Sequence, residues 1–418
     1  MNLSIPVNSK AVDNKYIIKL KTNSTAVDNV TSSMGVTPYH KFTHASQGFA
    51  ARLTDEQLKK LNNDPNVERI EKDEMLHADF YIDEGFAYED EDAPDEDAVG
   101  RAAYGESNTK EAARGKRTAR NLVPRTSTKY SKNMLAQEDA PWNLARISHR
   151  ERHYTNYTYD KSAGTGVCVY VLDSGINTGH RAFGGRAKFV KDLTDEGTDD
   201  NNGHGTHVAG IIGSSSFGVA KNATLYAVKI LRQDGHGASS LLVAGMDFVL
   251  TDAPTRFCPR GIVVNVSVGN PHSKIINKAA NRIVRAGYFL AVSAGNYGHD
   301  AKTRSPASAS LACTAAATTF NDELDPKSNF GYAVNVLAPG IRIKSTWKGQ
   351  KFMTQSGTSM ASAHVAGLGA YYMGLYKNLG TICSFITRRA AKNLIKMGAS
   401  SGTPNRLINN RRRGEHFY

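Results

Sequence analysis

From Ala140-Pro141-Trp142 onward, short β-branched apolar runs alternate with stretches of helical period. Segments 167–172, 224–230, 261–266 and 289–293 read as strands, and 204–213, 239–250 and 275–286 as helices. The strands are almost continuously apolar, as strands buried on both faces are. The pattern therefore predicts an α/β fold with a mostly parallel sheet covered by helices on either side. In such a sheet chemistry gathers at the carboxyl ends of strands, and Asp173 follows the first run directly.

The N-terminal region is patterned differently. Segments 15–20, 47–53 and 67–73 have strand character, and Thr54 can cap a helix that carries Leu58 and Leu61 on one face. A small α/β domain is expected over 15–79, marginal alone and helped by docking on a partner surface. Asp and Glu then crowd 83–97, Lys and Arg crowd 101–132, and apolar periodicity fades. This predicts a charged flexible linker over 80–134, with Lys116-Arg117 and Arg120 as cleavage points for a trypsin-like enzyme. A large domain over 135–400 follows, and 401–418, with Arg411-Arg412-Arg413, reads as a basic tail.

Of the 418 residues, 40% are hydrophobic and 22% charged, the mix of a soluble globular chain. No run approaches the roughly 20 apolar residues of a membrane helix. The formal charge of +13 would suit a polyanion binder, but no nucleic-acid motif accompanies it. Neither nucleic acid nor membrane is expected as a partner. The cysteines Cys168, Cys258, Cys313 and Cys383 allow three pairings. Residues 1–19 lack the apolar core of a signal peptide, so none is evident.

Three stretches carry candidate chemistry. Gly357-Thr358-Ser359-Met360-Ala361 opens a helix of small residues, placing a hydroxyl near unpaired N–H groups. A lone serine there would be read as an N-cap. Val171-Leu172-Asp173-Ser174-Gly175 ends a strand on an acid, and Asn202-Gly203-His204-Gly205-Thr206-His207 opens another small-residue helix. A serine hydroxyl becomes a nucleophile when a hydrogen-bonded base takes its proton; His204 can do that, and Asp173 can hold its tautomer. His207 and His364 lie beyond the first turns of their helices and read as buried packing residues. A zinc site on His204 and His207 is disfavoured, because their spacing and the missing Glu do not match a metalloprotease helix.

These motifs, and their order along the chain, resemble the subtilisin-like serine proteases, most closely the proteinase K group, over about residues 136–390. The resemblance implies a subtilisin-like three-layer fold preceded by a small α/β propeptide domain. It implies Asp173, His204 and Ser359 as a triad, with Asn296 of Ser293-Ala294-Gly295-Asn296 as oxyanion donor. Residues 15–77 are similar to the family's inhibitor propeptide, an intramolecular partner that blocks the cleft until removed. Ser267-Val268-Gly269 and Ala294-Gly295 match the walls of the primary specificity pocket, from which a large apolar or aromatic residue before the scissile bond is expected. The resemblance also pairs Cys168 with Cys258 and Cys313 with Cys383, which implies an oxidising compartment.

Departures from the family pattern matter. Ala363 stands in place of a proline and Val208 in place of a free cysteine. Asn335 replaces a calcium-binding aspartate, so no cofactor is required and only weak structural calcium is expected. The mature N-terminus aligns near Met134-Leu135-Ala136. The expectation is a secreted or vacuolar/lysosomal-lumen serine endopeptidase, made as a monomeric zymogen and acting on proteins and peptides. The alternative is a catalytically silent relative that only binds.

Overall fold

The computed structural model describes residues 14–21, 27–81, 133–377, 379–398 and 402–411. Lys116-Arg117, Arg120 and most of the expected linker lie outside these residues.

The large domain is built on a nine-stranded sheet. Its strands run in the order Ala391–Lys392, Arg406–Leu407, Val336–Pro339, Cys313–Thr318, Phe289–Ser293, Gly261–Val266, Val167–Asp173, Thr224–Lys229 and Ala187–Asp192. Every pairing is parallel except the one between the first two. The central strand Val167–Asp173 is buried along its whole length. Its alternate residues point to opposite faces, as the strand period requires. Val167, Val169 and Val171 join a core with Ala209 of the helix His204–Gly213 and Ala363 of the helix Thr358–Leu375. Tyr170 and Leu172 join a second core with Leu242 of the helix Ser239–Asp252 and Ile276 of the helix Lys274–Arg285. This is the three-layer arrangement expected from near-continuous apolar strands.

The N-terminal domain is a four-stranded antiparallel sheet in the order Pro38–Phe42, Gly48–Arg52, Lys15–Leu20, Val67–Lys72. Ile18, Leu20, Phe49 and Leu61 form its own small core. Thr54 caps the helix Asp55–Asn62 reciprocally with Gln57, as the sequence suggests. The other face of the sheet turns Ile17, Phe42 and Ala50 into the large domain's second core, which is the docking such a small unit needs.

Carboxylates fix that docking. Asp73 accepts from the Ser240 N–H at 2.8 Å and the Ser240 hydroxyl at 2.6 Å, at the start of the helix Ser239–Asp252. Glu71 accepts from the Ser273 hydroxyl at 2.5 Å and the Lys274 N–H at 3.1 Å, at the start of the helix Lys274–Arg285. Both place negative charge where helix dipoles favour it. In return Asp247 of the large domain accepts the N–H groups of Thr43, His44 and Ala45 at 3.0, 2.7 and 2.7 Å.

Two boundaries differ from the expectation. The strand Met134–Gln137 pairs with Tyr157–Asp160, so residue 134 belongs to the large domain and not to the linker. Residues 402–411 are not a solvated tail: Leu407 and Ile408 are buried, and the Tyr372 hydroxyl donates to the Asn409 carbonyl at 2.5 Å. Leu407 pairs with Leu337 on one side and Ala391 on the other, and Arg406 with Lys392, which draws this short segment into the sheet, a placement composition alone hides. Residues 412–418, with Arg412 and Arg413, are outside the described residues.

Asp247 anchors three amides on one oxygen, so its removal should open the 43–45 segment first. In full-length chain carrying Ser359→Ala, Asp247→Ala should weaken protection by about 2 kcal/mol, roughly 30-fold faster amide exchange there. Unchanged exchange by mass spectrometry would reject this anchoring role.

Candidate active site

Asp173, at the carboxyl end of its strand, and His204, at the first position of its helix, are both fully buried. His204 Nδ1 lies 2.7 Å from Asp173 Oδ1, which also accepts the Ser174 N–H at 2.7 Å. The approach requires a glycine next to the histidine. A Cβ on Gly205 would fall 2.1 Å from the Gly175 carbonyl oxygen and 3.2 Å from Asp173 Oδ1. Asp200 holds the helix start: its Oδ1 accepts the Gly203 N–H and the Ser174 hydroxyl at 2.8 Å each, and its Oδ2 the Thr206 N–H at 2.9 Å. Sequence reasoning did not single out Asp200; an acid just before a Gly-His helix start is the signal that could have found it.

Ser359 is the second residue of the helix Thr358–Leu375, which Gly357 introduces with φ 143°. Its hydroxyl donates to the Ser267 carbonyl at 3.0 Å, not to His204, whose Nε2 has no hydrogen-bond partner among the described residues. The Asn296 Oδ1 accepts the Thr358 N–H at 2.9 Å, which leaves its buried Nδ2 unpartnered and beside Gly357. Asn329, also missed in the sequence, braces this loop. It donates to the Ala294 carbonyl at 2.8 Å and accepts the N–H groups of Tyr297 and His299 at 3.1 and 3.0 Å.

The cleft is filled by the chain itself. Met75–Ala78 is inserted as an antiparallel strand between His236–Ala238 and Val268–Pro271, with Ala78 opposite Val268 and His77 opposite Gly269. The Asp79 N–H donates to the Ser267 carbonyl, and the Ser359 N–H donates to the Asp79 carbonyl, each at 3.1 Å. The Phe80 ring stacks on His204 at 4.7 Å, and Tyr81 pairs with Ser356. The bond brought to Ser359 is thus Asp79–Phe80, whereas Met134-Leu135-Ala136 lies in a strand paired to Tyr157–Asp160. Phe80 and Tyr81 are therefore part of the docked segment and not of the linker.

The remaining sequence candidates fall into place around this segment. Ser267, Val268 and Gly269 form one wall of the space holding the Asp79 side chain, since a Cβ on Gly269 would come 2.7 Å from Asp79 Oδ1. Ser293, next to Ala294 and Gly295, donates its hydroxyl to Asp79 Oδ2 at 2.6 Å. The occupant supplied by the inhibitor segment is thus a carboxylate. Cys168–Cys258 and Cys313–Cys383 are bonded, with Cα atoms 5.6 and 5.5 Å apart. Asn335 Oδ1 accepts the Thr314 N–H at 2.7 Å, so its acceptor is already engaged within the sheet.

His207 Nε2 sits 3.0 and 2.9 Å from the carbonyls of Ile343 and Met353, and burial pushes its pKa down to about 3. His364 Nδ1 lies 2.8 Å from the Met360 carbonyl, and burial pushes its pKa down to about 4. Both are neutral packing residues. No group of three or more His, Cys, Asp or Glu side chains able to hold a metal occurs among the described residues. No helix among them is long and apolar enough to cross a membrane.

Comparison with known proteins finds relatives of both domains. The Subtilase family model matches residues 164–414, and the Peptidase inhibitor I9 model matches residues 15–79. Proteinase T of Parengyodontium album is 54% identical over 275 residues, 66% of this chain and 94% of that protein. A cuticle-degrading protease of Metarhizium anisopliae is 37% identical over 412 residues, 98% of this chain and 92% of that protein. A crystal structure of a cold-adapted subtilisin-like serine proteinase superposes with a TM-score of 0.62 at 36% identity, covering 66% of this chain and all of that one.

The buried histidines predict an acid-side loss of stability. Unfolded imidazole titrates near pH 6.5, so between that value and the folded values the unfolded state binds more protons. Stability should be full above about pH 6.5 and fall towards pH 4, by about 1.4 kcal/mol per pH unit for each histidine. In the Ser359→Ala chain, His364→Gln should flatten the slope of denaturant-derived stability against pH by about one such increment. An unaltered slope would contradict the assignment.

Proposed function

The chain belongs to the subtilase family of serine proteases and carries its own I9 inhibitor domain, and from that premise we propose a mechanism and a setting. Ser359 is the nucleophile, His204 its base and later the acid that protonates the leaving amine, and Asp173 the group that orients the imidazole and stabilises its charged form. The Ser359 N–H and the Asn296 side-chain amide receive the oxyanion. The observation that carries this reading is the Asp79 carbonyl, held at 3.1 Å by the Ser359 N–H on a peptide threaded through the cleft as an added strand.

The off-line Ser359 hydroxyl fits a precursor at rest. Rotation about its Cα–Cβ bond, with a shift of the Phe80 ring, brings it to His204 Nε2. Catalytic hydrogen bonds commonly tighten only in the reacting complex.

The enzyme acts on proteins and peptides with broad specificity. The Gly269, Ala294 and Gly295 backbone leaves room for large apolar and aromatic side chains before the scissile bond. Two disulfides support folding in an oxidising compartment, and secretion or delivery to a vacuolar or lysosomal lumen is the setting proposed. It works as a monomer without a required cofactor, with calcium at most weakly bound near Asn335.

A fluorophosphonate probe should label mature enzyme at Ser359 and fail on Ser359→Ala; a mature protein that never labels would be a silent relative instead. Asn296→Gly should lower kcat by 100- to 1000-fold, about 3–4 kcal/mol of transition-state stabilisation, with KM little changed. A loss confined to KM would remove Asn296 from the oxyanion role.

A further inference from the structure

We propose that the leaving side of the cleft selects a tyrosine two residues after the scissile bond, with Asp325 taking its hydroxyl and Lys327 its ring. The inference rests on the hydrolytic reading of Ser359 and His204, and adds to it the class of peptide that this side prefers.

The chain supplies the occupant itself. Because the Asp79 carbonyl meets the Ser359 N–H, Tyr81 is the second residue beyond the bond presented. Its main chain pairs with Ser356: the Tyr81 N–H donates to the Ser356 carbonyl at 2.8 Å, and the Ser356 N–H to the Tyr81 carbonyl at 3.2 Å. Ser356 directly precedes Gly357 at the entry to the serine helix, so the same pairing is open to any peptide lying in the cleft. Main-chain bonds of this kind fix register and ignore the side chain. The side chain is met by two other groups. The Tyr81 hydroxyl donates to Asp325 Oδ2 at 2.8 Å, and the Lys327 ammonium lies 3.9 Å from the centre of the Tyr81 ring.

Both groups stand on a turn that is held before any substrate arrives. Asp325 is 6% exposed; its N–H donates to the Ala317 carbonyl at 3.0 Å, and its carbonyl accepts the Ser328 N–H at 2.9 Å. The Ala317 N–H in turn donates to the Ser328 hydroxyl at 3.0 Å, which ties the turn to the strand Cys313–Thr318. The Lys327 carbonyl accepts the Gly298 N–H at 2.8 Å, joining the turn to the loop that carries Asn296. The pair is thereby fixed relative to the oxyanion donor, and little ordering is left for binding to supply.

The two groups read different features of one side chain. A carboxylate accepting a phenol O–H forms a charge-assisted hydrogen bond, and phenylalanine would bring no donor to that oxygen. An ammonium over a ring face favours an aromatic side chain over an aliphatic one, with or without a hydroxyl. Tyrosine satisfies both. A role limited to docking the inhibitor's own tail would use the same contacts, but Asp325 and Lys327 belong to the large domain and stay when the inhibitor domain leaves. They therefore meet the leaving side of each substrate that follows.

Peptide kinetics separate the two readings. Enzyme matured from full-length chain is assayed on matched peptides that differ only at the second residue after the scissile bond, Tyr, Phe or Leu, with the cut bond checked by mass spectrometry. In the wild type, kcat/KM for Tyr should exceed that for Phe roughly tenfold, the effect of a hydrogen bond to a charged group. Phe should exceed Leu about two- to fivefold, the effect of an exposed cation–π contact. Asp325→Ala should bring the Tyr-to-Phe ratio close to one, and Asp325→Asn should keep part of it. Lys327→Met should abolish the Phe-to-Leu preference, and Lys327→Arg should retain it. If Asp325→Ala does not fold, the wild-type ratios and the two Lys327 variants decide. Tyr matching Phe in the wild type, a Tyr-to-Phe ratio that Asp325→Ala leaves unmoved, or a Phe-to-Leu ratio that Lys327→Met leaves unmoved overturns the proposal. Cleavage of none of the three peptides overturns the hydrolytic reading instead.

Discussion

A carboxylate and an imidazole, both out of reach of solvent, are held 2.7 Å apart although they lie 31 residues apart in the chain. Most of the surrounding architecture follows from holding that contact. A carboxylate at the end of a buried strand needs compensating donors; Asp173 Oδ1 takes the Ser174 N–H and faces His204 Nδ1, while Oδ2 has no partner among the described residues. The histidine must start a helix pressed against that strand end, which forces glycine at position 205 and a capping carboxylate at position 200. The serine helix then crosses the same face, and its Thr358 hydroxyl receives the Gly295 N–H at 3.0 Å. One interlocked pair of turns thereby sets Asn296 and Ser359 together.

The N-terminal domain uses the same physics in another place. Its own core is small, and it remains folded against the large domain by inserting Ile17 and Phe42 into a foreign core and placing Glu71 and Asp73 on two helix starts. Those contacts position the following residues with little freedom. Met75–Ala78 is consequently delivered between the large domain's strands His236–Ala238 and Val268–Pro271, in a small sheet separate from the nine-stranded one, and the chain is led through the cleft like a substrate. Inhibition is a consequence of that placement: the inhibitor's tail fills the cleft because its main chain completes a sheet.

The parts of this arrangement legible in the sequence are those with local signatures. The buried strands carried their apolar runs, and 261–266 and 289–293 match the observed Gly261–Val266 and Phe289–Ser293. Glycine-flanked motifs marked Asp173, His204, Asn296 and Ser359, because close approach demands small neighbours. What stayed hidden depends on distant pairing. Ala187–Asp192 alternates weakly as the edge strand it is, and Arg406–Leu407 is too short to show a period. Met75–Ala78 had no motif around it; only its antiparallel pairing with His236–Ala238 and Val268–Pro271 carries it into the cleft.

That last case bears on how specificity is encoded. The walls of the pocket are backbone, supplied by glycines, and backbone admits many side chains without choosing among them. Choice requires a group whose free energy changes with the occupant's polarity. Ser293 has that character, because its buried hydroxyl, which donates to Asp79 Oδ2 at 2.6 Å, gains from a polar occupant and gains little from a methyl group. An apolar reading drawn from Ser267-Val268-Gly269 and Ala294-Gly295 alone is therefore a reading of volume. The chain's own Asp79 fills that volume with its carboxylate on the Ser293 hydroxyl.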